Sequence, residues 1–238
     1  MEAIKREITD YWTGRVEKFE QLRLDELNSD KRGRWLDELR RYLPRGRKLN
    51  ILDIGTGTGF FAFILAAEGH WVTGIDLTAE MINGARRTSV LLNLYPSFKV
   101  MDAENPEFMP GSFDAIVTRN LTTFLPNLPE AYRRWRGLLR EGGVLVNFDG
   151  DYYYDKSEAP LPADHAHREL TADQNAAYAH ISDALRAVQR KRPAWDVALL
   201  EQAGFRDIQV DTGVSGRVYR EIDRFYNPTP MFCVTAIR

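Results

Sequence analysis

An α/β fold built on a doubly wound, mostly parallel sheet follows from three features of the sequence. From Leu49 onward, short apolar runs of strand length alternate with amphipathic stretches of helix length. The first run is continuous enough to suit a strand buried on both faces, and it stops at Gly55-Thr56-Gly57-Thr58-Gly59. Acids then close or follow the next two runs, at Asp76 and Asp102. Strand, glycine turn and helix N-terminus together make a site for an anion or a nucleotide-like ligand, at the carboxyl ends of the strands.

Composition sets the outer limits. The chain has 238 residues, 44% hydrophobic and 28% charged, which is the make-up of a globular protein with a sizeable core. A net charge of −2 makes nucleic acid a poor default partner. Cys233 is the single cysteine, so no internal disulfide framework exists, and its apolar neighbours mark it as a buried small hydrophobe. No run of about 18 apolar residues and no signal-peptide pattern is present, so no membrane partner is expected and a cytoplasmic location is.

Residues 1–28 place apolar side chains three to four apart, which predicts one or two amphipathic helices. Asn28-Ser29-Asp30 can cap another helix running to about Tyr42, stopped by Pro44 and Gly46. A strand over 49–54 leads into the glycines, and a helix follows from Phe60 until Gly69 ends it. A second strand over 71–75 finishes at Asp76, placed to accept hydrogen bonds from both hydroxyls of a ribose. Thr78 can cap the next helix. Strands over 98–101, 115–118 and 144–148 follow, with a helix from Pro129 to Leu139 and a turn at Glu141-Gly142-Gly143 before the last of them. Thr171 and Gln174 form a capping box for a helix to about Gln189. Pro193 suits the first turn of one more helix, ended by Gly204, and strands after Phe205 and over 232–237 close the chain.

The glycine spacing narrows the ligand. A dinucleotide fingerprint needs its third glycine one position later, where Phe60 stands, and no Gly-Lys-Ser/Thr follows for a phosphate loop. The run Asp53-Ile54-Gly55-Thr56-Gly57-Thr58-Gly59 instead resembles motif I of the class I S-adenosylmethionine-dependent methyltransferases. So do Met81, Ala85 and Arg86 after the second strand, Phe113-Asp114 at the fourth, and Leu139, Gly142, Gly143 and Leu145 around the fifth. That resemblance implies a Rossmann-like sheet of seven strands, the seventh antiparallel, with N-terminal helices and a helical cap insertion. It divides the chain into an N-terminal helical lid (1–46) and a methyltransferase domain (47–238) whose cap occupies about 150–192.

The same resemblance implies that S-adenosyl-L-methionine is bound and S-adenosyl-L-homocysteine is the product. Its expected contacts are Tyr11, Trp12 and Arg15 from a closing helix, Asp53, Gly55, Thr56 and Gly57 from the loop, and Asp76, Leu77 and Met81 beyond the second strand. Asp102 and Ala103 would meet the adenine, and Arg119 and Asn120 would sit beside the transferable methyl group, where they can also meet an acceptor carboxylate or amide. Tyr11 and Trp12 can equally be simple anchors to the core.

A sulfonium already carries an activated methyl, so a base is needed only if the acceptor must lose a proton. Candidates are Asp149, Asp151, Tyr152 and His165, in or beside an acid- and phenol-rich stretch, Asp149 to Asp155. His167 is a further one. Asp164, His165 and His167 have metal-ligating chemistry, but such a cluster in a polar loop is ordinarily solvated, and no metal is expected. The expected activity is methyl transfer to O, N or S of a small-molecule acceptor by a monomer or homodimer. The absence of Asn-Pro-Pro-Tyr after the fourth strand argues against methylation of nucleic-acid bases. Alternatives are an RNA or protein methyltransferase, using the basic cluster Arg133, Arg134, Arg136 and Arg140, and a non-catalytic cofactor-binding partner protein.

Overall fold

Three helices precede the sheet: α1 (Glu2–Thr13), α2 (Val16–Leu27) and α3 (Lys31–Tyr42). Then come β1 (Asn50–Ile54), α4 (Phe60–Ala67), β2 (Trp71–Asp76), α5 (Ala79–Leu92), β3 (Ser97–Val100) and β4 (Phe113–Arg119). A 3-10 turn at Thr122–Phe124 leads to α6 (Leu128–Leu138), β5 (Leu139–Gly150), α7 (Ala172–Val188) and α8 (Ala194–Gln202). The chain closes with β6 (Arg206–Asp211), α9 (Val214–Val218) and β7 (Met231–Ile237). This computed structural model describes residues 2–154, 161–165 and 170–238. Asp155 and His167 lie outside the described residues.

The seven strands among the described residues form one sheet in the order β3-β2-β1-β4-β5-β7-β6. All neighbours from β3 to β5 are parallel, while β7 runs antiparallel to both β5 and β6. The order turns back between β1 and β4, and that switch point opens a crevice at the strands' carboxyl ends.

Alternation along each strand explains why the runs looked continuously apolar. Ile51, Ala115, Val117, Val146 and Phe148 enter one core with α3 and α4; Leu52, Ile54, Ile116 and Leu145 enter the other with α6 and α8. Trp35 anchors the first core, fully buried with its ring against Phe61, Phe148 and Tyr219 at 5.3, 5.3 and 6.1 Å. Edge-to-face rings at that spacing add to the area they bury. Of residues 1–46, α3 therefore belongs to the core of the sheet, while α1 and α2 lie over its carboxyl edge.

Within the expected Asn28-Ser29-Asp30 cap, Ser29 Oγ accepts the Lys31 N–H at the start of α3. Local signals differ from expectation at two places. The Thr78 side chain makes no cap; its N–H instead donates to Asp76 Oδ1, 2.9 Å away, because the carboxylate ending β2 already faces the start of α5. The turn expected at Glu141–Gly143 is a bulge inside a longer β5, where Gly142 takes φ +71° and the register to β4 shifts. The capping box of α7 is present as expected, Thr171 Oγ1 accepting from Gln174 N and Gln174 Oε1 from Thr171 N.

Arg192, between α7 and α8, ties the second core together. Nη1 reaches Asp149 Oδ2 at 3.0 Å and Nε reaches Asp196 Oδ2 at 2.9 Å, while Nη2 donates to Asp196 and Thr122. Tyr132 donates to Asp196 Oδ1 at 2.6 Å and receives Asn147 Nδ2 at 3.0 Å. Burial opposes the Arg192 charge, but Asp196 and Asp149 outweigh it and raise its pKa. Arg192→Ala strands two carboxylates without a cation in a dry core. The expected loss is about 3–5 kcal/mol in urea unfolding at pH 7; a loss under about 1 kcal/mol would mean that the knot is not what holds α8 to β5.

Candidate active site

Steric need explains the three glycines. Gly55, Gly57 and Gly59 all have positive φ, at +68°, +53° and +92°. A Cβ on Gly55 would stand 2.7 Å from Leu121, and one on Gly59 would stand 2.6 Å from Phe63. The loop is then fastened to β2. Thr56 N donates to Ile75 O at 2.9 Å, and Gly57 N donates to Asp76 Oδ2 at 3.0 Å. Asp53 Oδ2 accepts from Thr56 Oγ1 at 2.6 Å and from Ala62 N at 3.1 Å, so a β1 carboxylate caps the first turn of α4.

Below and beyond this loop lies a cavity of about 520 Å³, within the usual range for a small-molecule site. Of the residues expected to bind the cofactor, all fourteen line it: Tyr11, Trp12, Arg15, Asp53, Gly55, Thr56, Gly57, Asp76, Leu77, Met81, Asp102, Ala103, Arg119 and Asn120. Asp102 Oδ1 accepts from Glu104 N at 2.8 Å, and its Oδ2 takes Lys5 Nζ at 2.7 Å. Lys5 also meets Glu104 Oε2 at 2.6 Å, so α1 is pinned to the loop after β3. Trp12 packs edge-on against Phe19 and Phe124, and Tyr11 packs against Tyr178 of α7. The two rings anchor α1 and also wall the cavity.

Arg119 sits differently from a free ligand contact. Its guanidinium grips Glu26 through both nitrogens, at 3.0 and 3.2 Å, and stacks 4.2 Å from the Phe60 ring centroid. Asn120, at φ +55°, accepts from the Tyr152 hydroxyl at 2.8 Å, and that hydroxyl accepts from Asn227 Nδ2 at 2.7 Å. His165 also lines the cavity, with Nε2 2.7 Å from Tyr226 O.

The four base candidates separate cleanly. Asp149 and Asp151 do not line the cavity; both are buried. Asp149 accepts from Thr122, Thr123 N, Gly150 N and Arg192, which leaves no oxygen facing a ligand. Tyr152 does line it, but burial and the Asp149 charge push its phenol well above the ordinary range. It is a neutral clamp on Asn120. Sequence reading missed Lys5, Arg23, Glu26, Tyr178 and Asn227, all of which line or support the cavity. Only Arg23 and Glu26, three apart on a helix face, carried a local signal.

Burial pushes Asp53 up to about 7, against the pull of Thr56 and Ala62. Burial raises Asp76 also. An acid with a folded pKa above its ordinary value near 3.9 holds its proton more tightly when folded. Its stabilising contribution is therefore present below about pH 4 and is lost as pH rises toward 7. Asp53→Asn is expected to flatten that part of the profile, gaining on the wild type by on the order of 1–3 kcal/mol between pH 5 and 8 in denaturation curves. Parallel profiles would show that Asp53 does not titrate there.

Comparison with known proteins agrees with this geometry. Residues 52–147 match the methyltransferase domain family. The chain is 34% identical over 101 residues to the malonyl-[acyl-carrier protein] O-methyltransferase of Erwinia pyrifoliae, covering 42% of this chain and 37% of that one. It is 35% identical over 121 residues to aklanonic acid methyltransferase DauC of Streptomyces sp., covering 44% and 54%. The chain thus spans about half or less of the length of these curated relatives. Among solved structures, Haemonchus contortus phosphoethanolamine N-methyltransferase 2, in complex with phosphomonomethylethanolamine and S-adenosylhomocysteine, superposes with a TM-score of 0.61 at 20% identity. That match covers 85% of this chain and 52% of that one. A Mesorhizobium loti S-adenosylmethionine-dependent methyltransferase gives 0.61 at 20%, covering 85% and 96%.

Proposed function

We propose that this protein, whose residues 52–147 match the methyltransferase domain family, is a class I enzyme that binds S-adenosyl-L-methionine and methylates a small-molecule acceptor at O, N or S. The observation that carries the reading is one cavity shared by the glycine loop, Asp76 and Asp102 at the β1/β4 switch point. The residues fit that cofactor: two carboxylates for hydroxyl and amino donors, an apolar shelf of Leu77 and Met81, and a glycine at 55 that lets the loop pass close to Leu121. In this reading Asp76 takes the ribose hydroxyls, Asp102 with the Ala103 N–H takes the adenine, and Arg15 takes the carboxylate. When bound, the cofactor supplies an activated methyl on a sulfonium, open to in-line attack.

The chain's own contribution is then mostly orientation and exclusion of water. Holding two reactants in line can supply roughly 7–11 kcal/mol of the barrier. Residues Tyr11 and Trp12 act as the lid and α7 as the roof, keeping the reacting centre dry. Tyr152 fixes Asn120 beside the acceptor, and His165 is the remaining base candidate if the acceptor must lose a proton. Its Nε2 donates to the Tyr226 carbonyl. A location in the cytoplasm remains part of the proposal.

An RNA acceptor is disfavoured by the net charge of −2. In the arginine cluster Arg133 and Arg134 share Glu130, Arg140 pairs with Asp114, and Arg136 donates to Gly204 O.

Asp76→Ala removes two acceptors for the ribose and is expected to weaken S-adenosylhomocysteine by about ten- to a hundredfold in calorimetry; unchanged affinity would end the ribose assignment. Incubation with methyl-labelled cofactor and a metabolite extract separates enzyme from non-catalytic partner, since only the enzyme moves label into a small compound. Binding without any labelled product would favour the partner reading.

A further inference from the structure

The cations at the cavity differ in how fully each is matched. Among the described residues, five cationic side chains line it: Lys5, Arg15, Arg23, Arg119 and Arg224. Lys5 is matched by Asp102 and Glu104, and Arg224 Nη1 by Asp25 Oδ2 at 2.9 Å. Arg119 and Arg23 share a single carboxylate, Glu26, which is fully buried behind them. Both Glu26 oxygens are already taken. Oε1 accepts from Arg119 Nη1 and from the Trp35 indole at 3.0 and 3.2 Å, and Oε2 from Arg119 Nη2 and Arg23 Nη1. Two guanidinium groups on one saturated carboxylate leave a surplus of one positive charge.

That surplus sits at Arg23. Arg119 holds Glu26 by a bidentate fork, whereas Arg23 reaches it through one nitrogen and its Nε has no hydrogen-bond partner. Burial and the Arg119 charge lower the Arg23 pKa, while Glu26 outweighs burial at Arg119 and raises it. The two directions disagree because the fork belongs to Arg119. The Arg23 guanidinium lies 4.6 Å from the Phe19 ring centroid, at the cavity wall. Arg15 has no carboxylate partner among the described residues; its Nη1 donates to the Tyr11 hydroxyl.

We propose that the methyl acceptor is an organic acid, and that Arg23, backed by Glu26 and Arg119, receives its carboxylate. This rests on the methyltransferase reading. The cofactor brings one carboxylate, for which Arg15 stands ready, so a second uncompensated cation calls for a second anion. A buried guanidinium with spare donors recovers its desolvation cost only when an anion arrives. The remaining walls, Phe19, Phe124, Tyr178, Phe225 and Tyr226, suit an aromatic or apolar body for that acid.

The test titrates benzoate, trans-cinnamate, 3-phenylpropionate and indole-3-acetate, each against its primary amide, by calorimetry with and without saturating S-adenosylhomocysteine. At least one acid is expected to bind about tenfold or more tightly than its amide, and Arg23→Gln to erase that preference while leaving S-adenosylhomocysteine affinity intact. The proposal is overturned if no acid outbinds its amide, or if Arg23→Gln keeps the preference. It is also overturned if Arg23→Gln weakens S-adenosylhomocysteine and spares the acids, which would give Arg23 to the cofactor. The acid-against-amide comparison on the wild type needs no variant to fold. Failure of S-adenosylhomocysteine to bind the wild type would sink the methyltransferase reading, while the arm without it still decides this one.

Discussion

The carboxylate of Glu26 on α2 collects the Trp35 indole of α3, the fork of Arg119 at the end of β4, and one nitrogen of Arg23. Burial opposes its ionisation, but Arg119 and Arg23 outweigh that and hold its pKa at about 2. Charges taken out of water are tolerated only when each is paired and hydrogen-bonded. Satisfying that condition forces α2, α3 and β4 into one arrangement. With α2 set, Phe19 comes to lie 3.2 Å from where a Gly57 Cβ would be, and the N-terminal helices close one side of the cavity.

Two buried ionic knots thus stand on either side of the site, and they divide the acids by use. Around Arg192, Asp149 and Asp196 are spent on holding β5, α6 and α8 together. Around the glycine loop, Asp53 and Asp76 accept mainly backbone and hydroxyl donors, and burial raises both. A carboxylate with few cations near it is the kind that a cationic cofactor can relieve. On the cavity wall the side chains hold one another in place: Tyr152 holds Asn120, and Asn227 holds Tyr152.

The Lys5 contact with Asp102 and Glu104 has a complementary effect. It joins α1 to the loop after β3, so the covering helix and two acids of that loop are bound to the same cation. On the far side, α7 meets α1 through Tyr178, Tyr11 and Ile181. The cover over the cavity is therefore built from the two ends of the chain's non-sheet material, the N-terminal helices and the segment after β5.

The sequence by itself determined the sheet, the loop and the two acids that follow it. These depend on local demands: apolar alternation on both faces of a strand, positive φ at Gly55, Gly57 and Gly59, and an acid at a strand end, all readable within a few residues. The helix of α7 was legible for the same reason, since a capping box is a contact over three residues. Only the tertiary structure decided which charges meet. Arg119 and Glu26 are 93 positions apart, and Arg192 and Asp149 are 43 apart. Arg119 therefore reads as a ligand contact and Asp149 as a base until packing supplies their partners. Long-range ion pairing follows from the geometry of the assembled layers, and no spacing along the chain encodes it.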